Sequence, residues 1–146
     1  MGRIKLHLDV IQTVREAVGK DYPIALRLGA CDYIPGGSTL QDSIAAAKEF
    51  EKAGIDLLDI SGGFCGYINP YSKEQGYFSE ITEELKKHIS IPIILTGGIV
   101  DAAAAEKLLL ENKTDLVGVG RAILKNSDWA KNAHFYKIGR ASCRER

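Results

Sequence analysis

The chain has 146 residues, enough for one domain with a sizeable core, and its hydrophobic (45%) and charged (26%) contents are ordinary for a globular protein. Nineteen acidic residues balance nineteen Lys and Arg residues, which argues against a nucleic-acid or anionic-membrane partner. There is no apolar run of membrane-spanning length, no signal-peptide pattern and no CxxC pair among Cys31, Cys65 and Cys143, so we expect a cytoplasmic protein without a metal site.

Apolar periodicity predicts helices and strands that alternate along the chain. Helices are predicted at 6–18, 40–53, 80–88 and 101–111, with a further small one capped by Ser127. Strands are predicted at 24–28, 56–60, 91–96 and 116–119. Short apolar runs of this kind are typical of parallel strands that are buried on both faces.

Local signals mark several of the helix ends. Gly19 and Gly54 are the predicted C-terminal caps of the first two helices. Ser38-x-x-Gln41 has the spacing of a capping box for the second helix. Asp101 is the predicted N-cap of the helix that follows the third strand.

The alternation predicts an α/β fold of parallel βα units joined by right-handed crossovers. Four such units are half of an eight-stranded (β/α)8, or TIM, barrel. The chain opens on a helix rather than a strand, so we expect it to begin in mid-fold. A half barrel would leave two open sheet edges, which favour aggregation.

Two of the predicted strands end in glycine. Thr96-Gly97-Gly98 follows the third strand, and Gly120-Arg121 follows the fourth. Glycine lets the backbone approach a ligand, and a helix that begins just afterwards directs unpaired N–H groups toward an anion. Two such units with an arginine predict a phosphate-binding site, although tight strand-to-helix turns alone would also explain the glycines.

Two other features have alternative interpretations. Arg27 interrupts the first apolar strand, where it can pair with a carboxylate such as Asp59 or point at an anionic ligand. The long irregular segment at 64–78 contains Tyr67, Tyr71 and Tyr77. These aromatic side chains suit substrate contact, or they pack the loop on itself.

The last nine residues, 138–146, lack periodicity and resemble the in-frame translation of a sequencing adapter. We therefore divide the chain into a half barrel at 1–137 and a non-native tail at 138–146, and we read no site from Cys143.

An ordered set of motifs resembles the old yellow enzyme family of NADH:flavin oxidoreductases, in its bacterial branch. The motifs are VREAVG at 14–19, PIALRL at 23–28, AGID at 53–56, ISGG at 60–63, TGG at 96–98 and VGRA at 119–122. The resemblance spans residues 3–133 and implies the last four βα units, strands five to eight, of an FMN-binding barrel.

The resemblance also implies roles for individual residues. Arg27 would lie at the N1–C2 carbonyl edge of the flavin, where it stabilises negative charge of the reduced ring. The implied phosphate ligands are Thr96, Gly97, Gly98, Gly120 and Arg121. The implied contacts at the substrate edge are Ser61, Gly62, Gly63 and Tyr67.

The intact enzyme implied by the resemblance uses NAD(P)H to reduce FMN and passes hydride to an activated alkene such as an α,β-unsaturated carbonyl compound, and it can be a homo-oligomer. The family's active-site histidine motif and proton-donating tyrosine fall upstream of Met1, and His7, His88 and His134 do not match that motif. We therefore expect the chain to need the missing N-terminal half barrel, and to be inactive alone.

Two other hypotheses remain. One is a different phosphate-binding barrel, such as a sugar-phosphate isomerase or lyase with Asp59 as its base. The other is a truncated chain without independent activity.

Overall fold

The computed structural model describes residues 2–134, in which helices and strands alternate as predicted. After a 3-10 turn at Gly2–Ile4, the helices are α1 (Lys5–Val18), α2 (Leu40–Ala53), α3 (Ser79–Leu85), α4 (Ala102–Leu110) and α5 (Arg121–Lys125). The strands are β1 (Ala25–Gly29), β2 (Leu57–Ser61), β3 (Ile93–Leu95) and β4 (Leu116–Val117). Residues 129–134 are also helical. The segment predicted as a non-native tail lies outside the described residues.

The four strands form one parallel sheet in the order β1-β2-β3-β4. Each crossover adds the next strand to the same edge, as in a (β/α)8 barrel. The prediction of a half-barrel α/β fold is therefore confirmed. The sheet places the carboxyl ends of all four strands, and the loops that follow them, along one side.

The two faces of the sheet differ in burial. On the helix-covered face, Leu58, Ile60, Ile93 and Leu95 are fully buried in one core with residues of the surrounding helices. The opposite face carries a row of residues in register across the strands: Arg27, Asp59, Ile94 and Leu116. Leu116 is 47% exposed and Arg27 is also exposed, so the expectation of burial on both faces is wrong at the edge strands. In a closed barrel this second face would line the interior.

The capping box of α2 lies one residue later than predicted. Thr39 Oγ1 accepts the amide of Asp42 at 3.2 Å, and Asp42 Oδ2 accepts the amide of Thr39 at 3.0 Å. Ser38 cannot serve as this cap because its amide donates to Asp32 Oδ2 at 2.5 Å, which fixes Ser38 in the preceding loop. At the other end, Gly54 closes the helix at φ 99°, as predicted.

Three further helix ends can be compared with their predictions. Gly19 is the C-cap of α1, and Asp101 Oδ1 accepts the amide of Ala104 at 2.9 Å at the start of α4, so both predictions are confirmed. In the turn before residues 129–134, Asn126 Oδ1 accepts the amide of Asp128 at 3.0 Å, and the predicted cap Ser127 lies within this turn. No helix within residues 2–134 has the length and apolar character that crossing a bilayer requires.

Candidate functional site

The glycine turn after β3 brings the main chain against an aromatic ring. Thr96 Oγ1 donates to the carbonyl of Ile60 at 2.6 Å, which ties the end of β3 to β2. Gly97 and Gly98 follow at φ 132° and 66°, in the left-handed region that favours glycine. A Cβ on Gly98 would lie 2.6 Å from a ring carbon of Tyr77, so the close approach of this ring also requires glycine.

The amides of this turn provide unused hydrogen-bond donors. Within residues 2–134, the amides of Gly98 and Ile99 donate to no acceptor. The next two amides, of Val100 and Asp101, both donate to Gln75 Oε1, at 2.7 and 3.1 Å. Main-chain N–H groups without an acceptor at a strand end are suitable donors for an anion.

The N-terminus of α4 does not offer the anion-binding N–H groups that were expected of it. The sequence predicted that its unpaired N–H groups would face an anion, but the Asp101 carboxylate already caps this end and also accepts Gln75 Nε2 at 2.5 Å. A carboxylate at a helix N-terminus compensates the helix dipole. The anion-binding capacity after β3 therefore lies in the glycine turn and not in the helix.

Gly120 and Arg121 follow β4 at the neighbouring strand end. Gly120 is the N-cap of α5, and Arg121 is exposed. The Nη2 atom of Arg121 lies 3.3 Å from the hydroxyl of Tyr77, which itself donates to the carbonyl of Tyr67. Tyr77 thus connects the long loop, the glycine turn and the arginine.

A cavity of about 520 Å³ opens between these two strand ends. Its lining residues are Ile68, Ser72, Lys73, Tyr77, Gly98, Val100, Arg121, Leu124 and Lys125. Of the predicted phosphate ligands it includes Gly98 and Arg121, whereas Thr96, Gly97 and Gly120 do not line it. It contains three cations and no carboxylate.

Lys73 and Lys125 were missed by sequence reasoning. Two signals could have found them: Lys73 is the one cation of the segment 64–78, and Lys125 is four residues after Arg121, which places both on one face of a helix. Neither signal is specific until the loop and helix are placed together.

Arg27 lies outside this cavity and has a carboxylate partner. The register of β1 and β2 places Arg27 directly opposite Asp59, and Arg27 Nη1 donates to Asp59 Oδ2 at 2.7 Å. The Arg27 side chain is 52% exposed and that of Asp59 is 19% exposed. The second carboxylate oxygen, Asp59 Oδ1, is buried without a donor. The ion-pair interpretation of Arg27 is thus confirmed as a contact, and the half-exposed guanidinium remains accessible to a ligand.

The turn Ser61-Gly62-Gly63 after β2 has a structural role. Buried Asp32 fixes this turn: its Oδ1 accepts the amide of Phe64 at 2.6 Å, and its Oδ2 accepts that of Ser38. These main-chain hydrogen bonds hold the pKa of Asp32 below its ordinary value. Gly62 is also confined, because a Cβ there would lie 2.7 Å from the ring of Phe78.

The long loop shows features of both interpretations offered for it. Asn69 is buried and donates to the carbonyl of Tyr77 at 2.6 Å, and the rings of Tyr77 and Phe78 pack edge to face with their centroids 4.8 Å apart. The loop is therefore packed in part on its own aromatic residues. The Tyr67 side chain, however, is 74% exposed and free to contact a substrate.

The three histidines of the chain, which do not match the family's active-site motif, have contacts with neighbouring residues. The His7 ring lies 5.8 Å from that of Phe50, and His88 Nε2 lies 3.4 Å from Glu84 Oε1. His134 also has an interaction partner.

Fold and site together define a class of protein: a parallel half-barrel α/β unit with a cationic cavity at the carboxyl ends of its last two strands. A sequence profile of the NADH:flavin oxidoreductase / NADH oxidase family matches residues 2–136. The chain belongs to this family, whose members use flavin and NAD(P)H, and the resemblance to old yellow enzymes is confirmed.

Individual relatives agree with this assignment. The chain is 37% identical to an NADH oxidase of Thermoanaerobacter brockii, over 90% of this chain and 21% of that protein. It is 34% identical to an NADPH dehydrogenase of Listeria welshimeri, over 90% of this chain and 38% of that protein. A solved morphinone reductase mutant in complex with tetrahydroNAD shares the fold, with a TM-score of 0.67 at 20% identity over 91% of this chain and 34% of that one. The chain thus spans about a fifth to two fifths of the length of these proteins.

Proposed function

We propose that the chain supplies the phosphate site and the flavin-edge arginine of an FMN-dependent NAD(P)H oxidoreductase of the ene-reductase type. The observation that carries this proposal is the cavity that Gly98 and Arg121 both line: the Gly98 amide has no acceptor, and Arg121 has no carboxylate partner, among the described residues. A phosphate ester fits this donor set, because it needs N–H groups, positive charge and the absence of carboxylates.

The chain's residues would bind FMN at two places, the phosphate and the edge of the flavin ring. Gly98 and Arg121 would bind the phosphate, while Thr96, Gly97 and Gly120 hold the backbone of the two strand ends in place. Arg27 would hold the N1–C2 edge of the flavin ring, with its guanidinium oriented by Asp59 at 2.7 Å. When bound, FMN accepts a hydride from NAD(P)H and delivers it to an activated alkene.

The substrate edge would be formed by the turn after β2 and the long loop. Ser61, Gly62 and Gly63 would shape this edge through their main chain, since Asp32 and Phe78 confine the turn. Tyr67 is the exposed side chain that would contact a substrate such as an α,β-unsaturated carbonyl compound. We further propose that the chain is inactive without the N-terminal half barrel, and that the intact enzyme works in the cytoplasm.

The isomerase or lyase alternative receives less support. A catalytic base on the sheet needs a free carboxylate, whereas Asp59 Oδ2 is already paired with Arg27. The cavity alone does not require a flavin, so binding experiments must separate the two hypotheses.

The test is FMN binding by the purified 146-residue chain, followed by quenching of flavin fluorescence alongside circular dichroism. We expect saturable quenching, and we expect Arg121→Ala to weaken it by about 1.5–3 kcal/mol, or roughly 10- to 150-fold in Kd. Lys20→Ala is the control, because Lys20 is an exposed cation that lines neither this cavity nor the one that contains Arg27. Equal FMN affinity in the Arg121 variant and the wild type would remove Arg121 from the site.

A further inference from the structure

Three cations share the cavity between β3 and β4 without any compensating carboxylate. Lys73 comes from the long loop, and Arg121 and Lys125 come from α5. Within residues 2–134, none of the three forms an ion pair. Two other cavities of the described chain also contain cations, but each contains carboxylates as well: Asp42 and Glu49 in one, Glu74, Glu80 and Glu111 in the other.

Unpaired positive charges on one cavity wall repel each other, so this arrangement favours a ligand with more than one negative charge. Ile68, Val100 and Leu124 line the same cavity and are all more than half exposed, so solvent screens the cations and anion binding there should weaken as salt is added. A phosphate monoester carries close to two negative charges at neutral pH and three acceptor oxygens. One guanidinium and one main-chain amide neutralise only part of that charge.

We propose that Lys73 and Lys125 bind the same phosphate monoester dianion as Arg121. This inference rests on the proposed function and deepens it, because it assigns two further ligands and specifies a dianionic monoester. The 5′-phosphate of FMN and the 2′-phosphate of NADPH have this chemistry in common, whereas riboflavin and NADH lack it.

Binding of one dianion by both lysines would also hold the long loop in place. Lys73 lies on the segment between β2 and α3, and Lys125 lies at the end of α5. Tyr77 already connects these parts through its contacts with Tyr67 and Arg121. A dianion held by both lysines links the loop to α5, so its binding will restrict access to the exposed bond after Lys73.

The experiment measures the Kd values of FMN, riboflavin, NADPH and NADH for the 146-residue chain and for Lys73→Gln, Lys125→Gln and Arg121→Ala. Lys20→Gln is the control, because Lys20 is an exposed lysine that does not line this cavity. We expect each lysine variant to raise the Kd of FMN by about 3- to 10-fold at low salt. Riboflavin binding and the Lys20 variant should be unchanged. FMN should also slow tryptic cleavage after Lys73, whereas riboflavin should not.

The outcomes separate this inference from the proposed function. If Arg121→Ala weakens FMN binding and neither lysine variant does, the lysine assignment is wrong and the proposed function stands. If the two lysine variants and Arg121→Ala all weaken NADPH binding and none of the three weakens FMN binding, the dianion is the dinucleotide's 2′-phosphate, which supports the lysine assignment and overturns the proposed FMN-phosphate site. If FMN and riboflavin bind equally and no variant matters, or if none of the four ligands binds, both proposals are overturned.

Discussion

Arg27 and Asp59 form a charge pair on the face of the sheet that would line a closed barrel. A guanidinium at the proposed flavin edge stabilises the reduced, more negative ring, and the carboxylate beside it weakens that effect. In the FMN-loaded protein, Arg27→Ala should lower the flavin's reduction potential by about 30–65 mV, the equivalent of about 1.5–3 kcal/mol for two electrons. Asp59→Asn should shift it upward. Potentials measured against a reference dye check both signs, and unchanged potentials would exclude this role for the pair.

Asp32 should make the folded state sensitive to acid. Its hydrogen bonds with the amides of Phe64 and Ser38 lower its pKa in the folded chain, so the carboxylate stabilises the fold above the ordinary Asp pKa. That contribution disappears as the pH falls through the lowered pKa. Asp32→Asn should cost about 1–3 kcal/mol at neutral pH, because a main-chain donor loses its acceptor.

Urea unfolding of the wild type and the Asp32→Asn variant at several pH values tests this account. The difference between their free energies of unfolding should be largest at neutral pH and should narrow below about pH 4. A difference that stays constant from neutral to acid pH would contradict it.

At the scale of elements, the beginning of α2 shows what the sequence can and cannot predict. Two overlapping capping boxes are compatible with the residues Ser38 to Asp42, and local spacing does not choose between them. The choice depends on Asp32, which binds the Ser38 amide from the preceding loop. This is a tertiary contact, and it shifts the cap to Thr39.

Substitutions at the two overlapping boxes check this assignment. Thr39→Ala should lower the free energy of unfolding by about 1 kcal/mol, because it removes the side-chain acceptor for the Asp42 amide. Gln41→Ala, at the exposed position of the alternative box, should change it by less than about 0.5 kcal/mol. Thermal or urea unfolding of both variants gives the comparison. A larger loss of unfolding free energy in the Gln41 variant than in the Thr39 variant would show that the capping box begins at Ser38.

The strands and the two strand-end motifs were predictable for a simple reason. Buried apolar runs and glycines at strand ends are local features, and parallel strands bring their carboxyl ends together. Lys73 and Lys125 were not predictable, because their proximity to Arg121 depends on the path of the long loop and the placement of α5. The Arg27–Asp59 pair was foreseen as an alternative, but the register of β1 and β2 was needed to establish it.

At the scale of the whole molecule, both edges of the sheet remain without a strand partner within residues 2–134. In addition, α1 exposes a stripe of apolar residues at helical spacing: Leu6 (71%), Val10 (51%), Val14 (38%) and Val18 (39%). Open sheet edges and exposed apolar surface both favour association. We expect the chain to self-associate as its concentration rises.

Sedimentation velocity over a concentration series tests that expectation. Replacing Leu6 and Val10 with lysine should shift association to higher concentration, because both side chains are more than half exposed and their removal costs little core packing. Replacing exposed Lys20 with glutamine serves as the control. A wild-type chain that stays monomeric over the whole concentration series would contradict the expected self-association.

In the proposed function, the strand-end glycine turn and Arg121 of this chain bind the phosphate of FMN. The most direct measurement is an amide nitrogen–proton correlation spectrum of the labelled chain, titrated with FMN and separately with riboflavin. We expect the Gly98, Ile99 and Arg121 signals to shift saturably with FMN and to remain in place with riboflavin. If FMN shifts other signals and leaves these unmoved, or if riboflavin shifts them equally, the phosphate assignment is wrong.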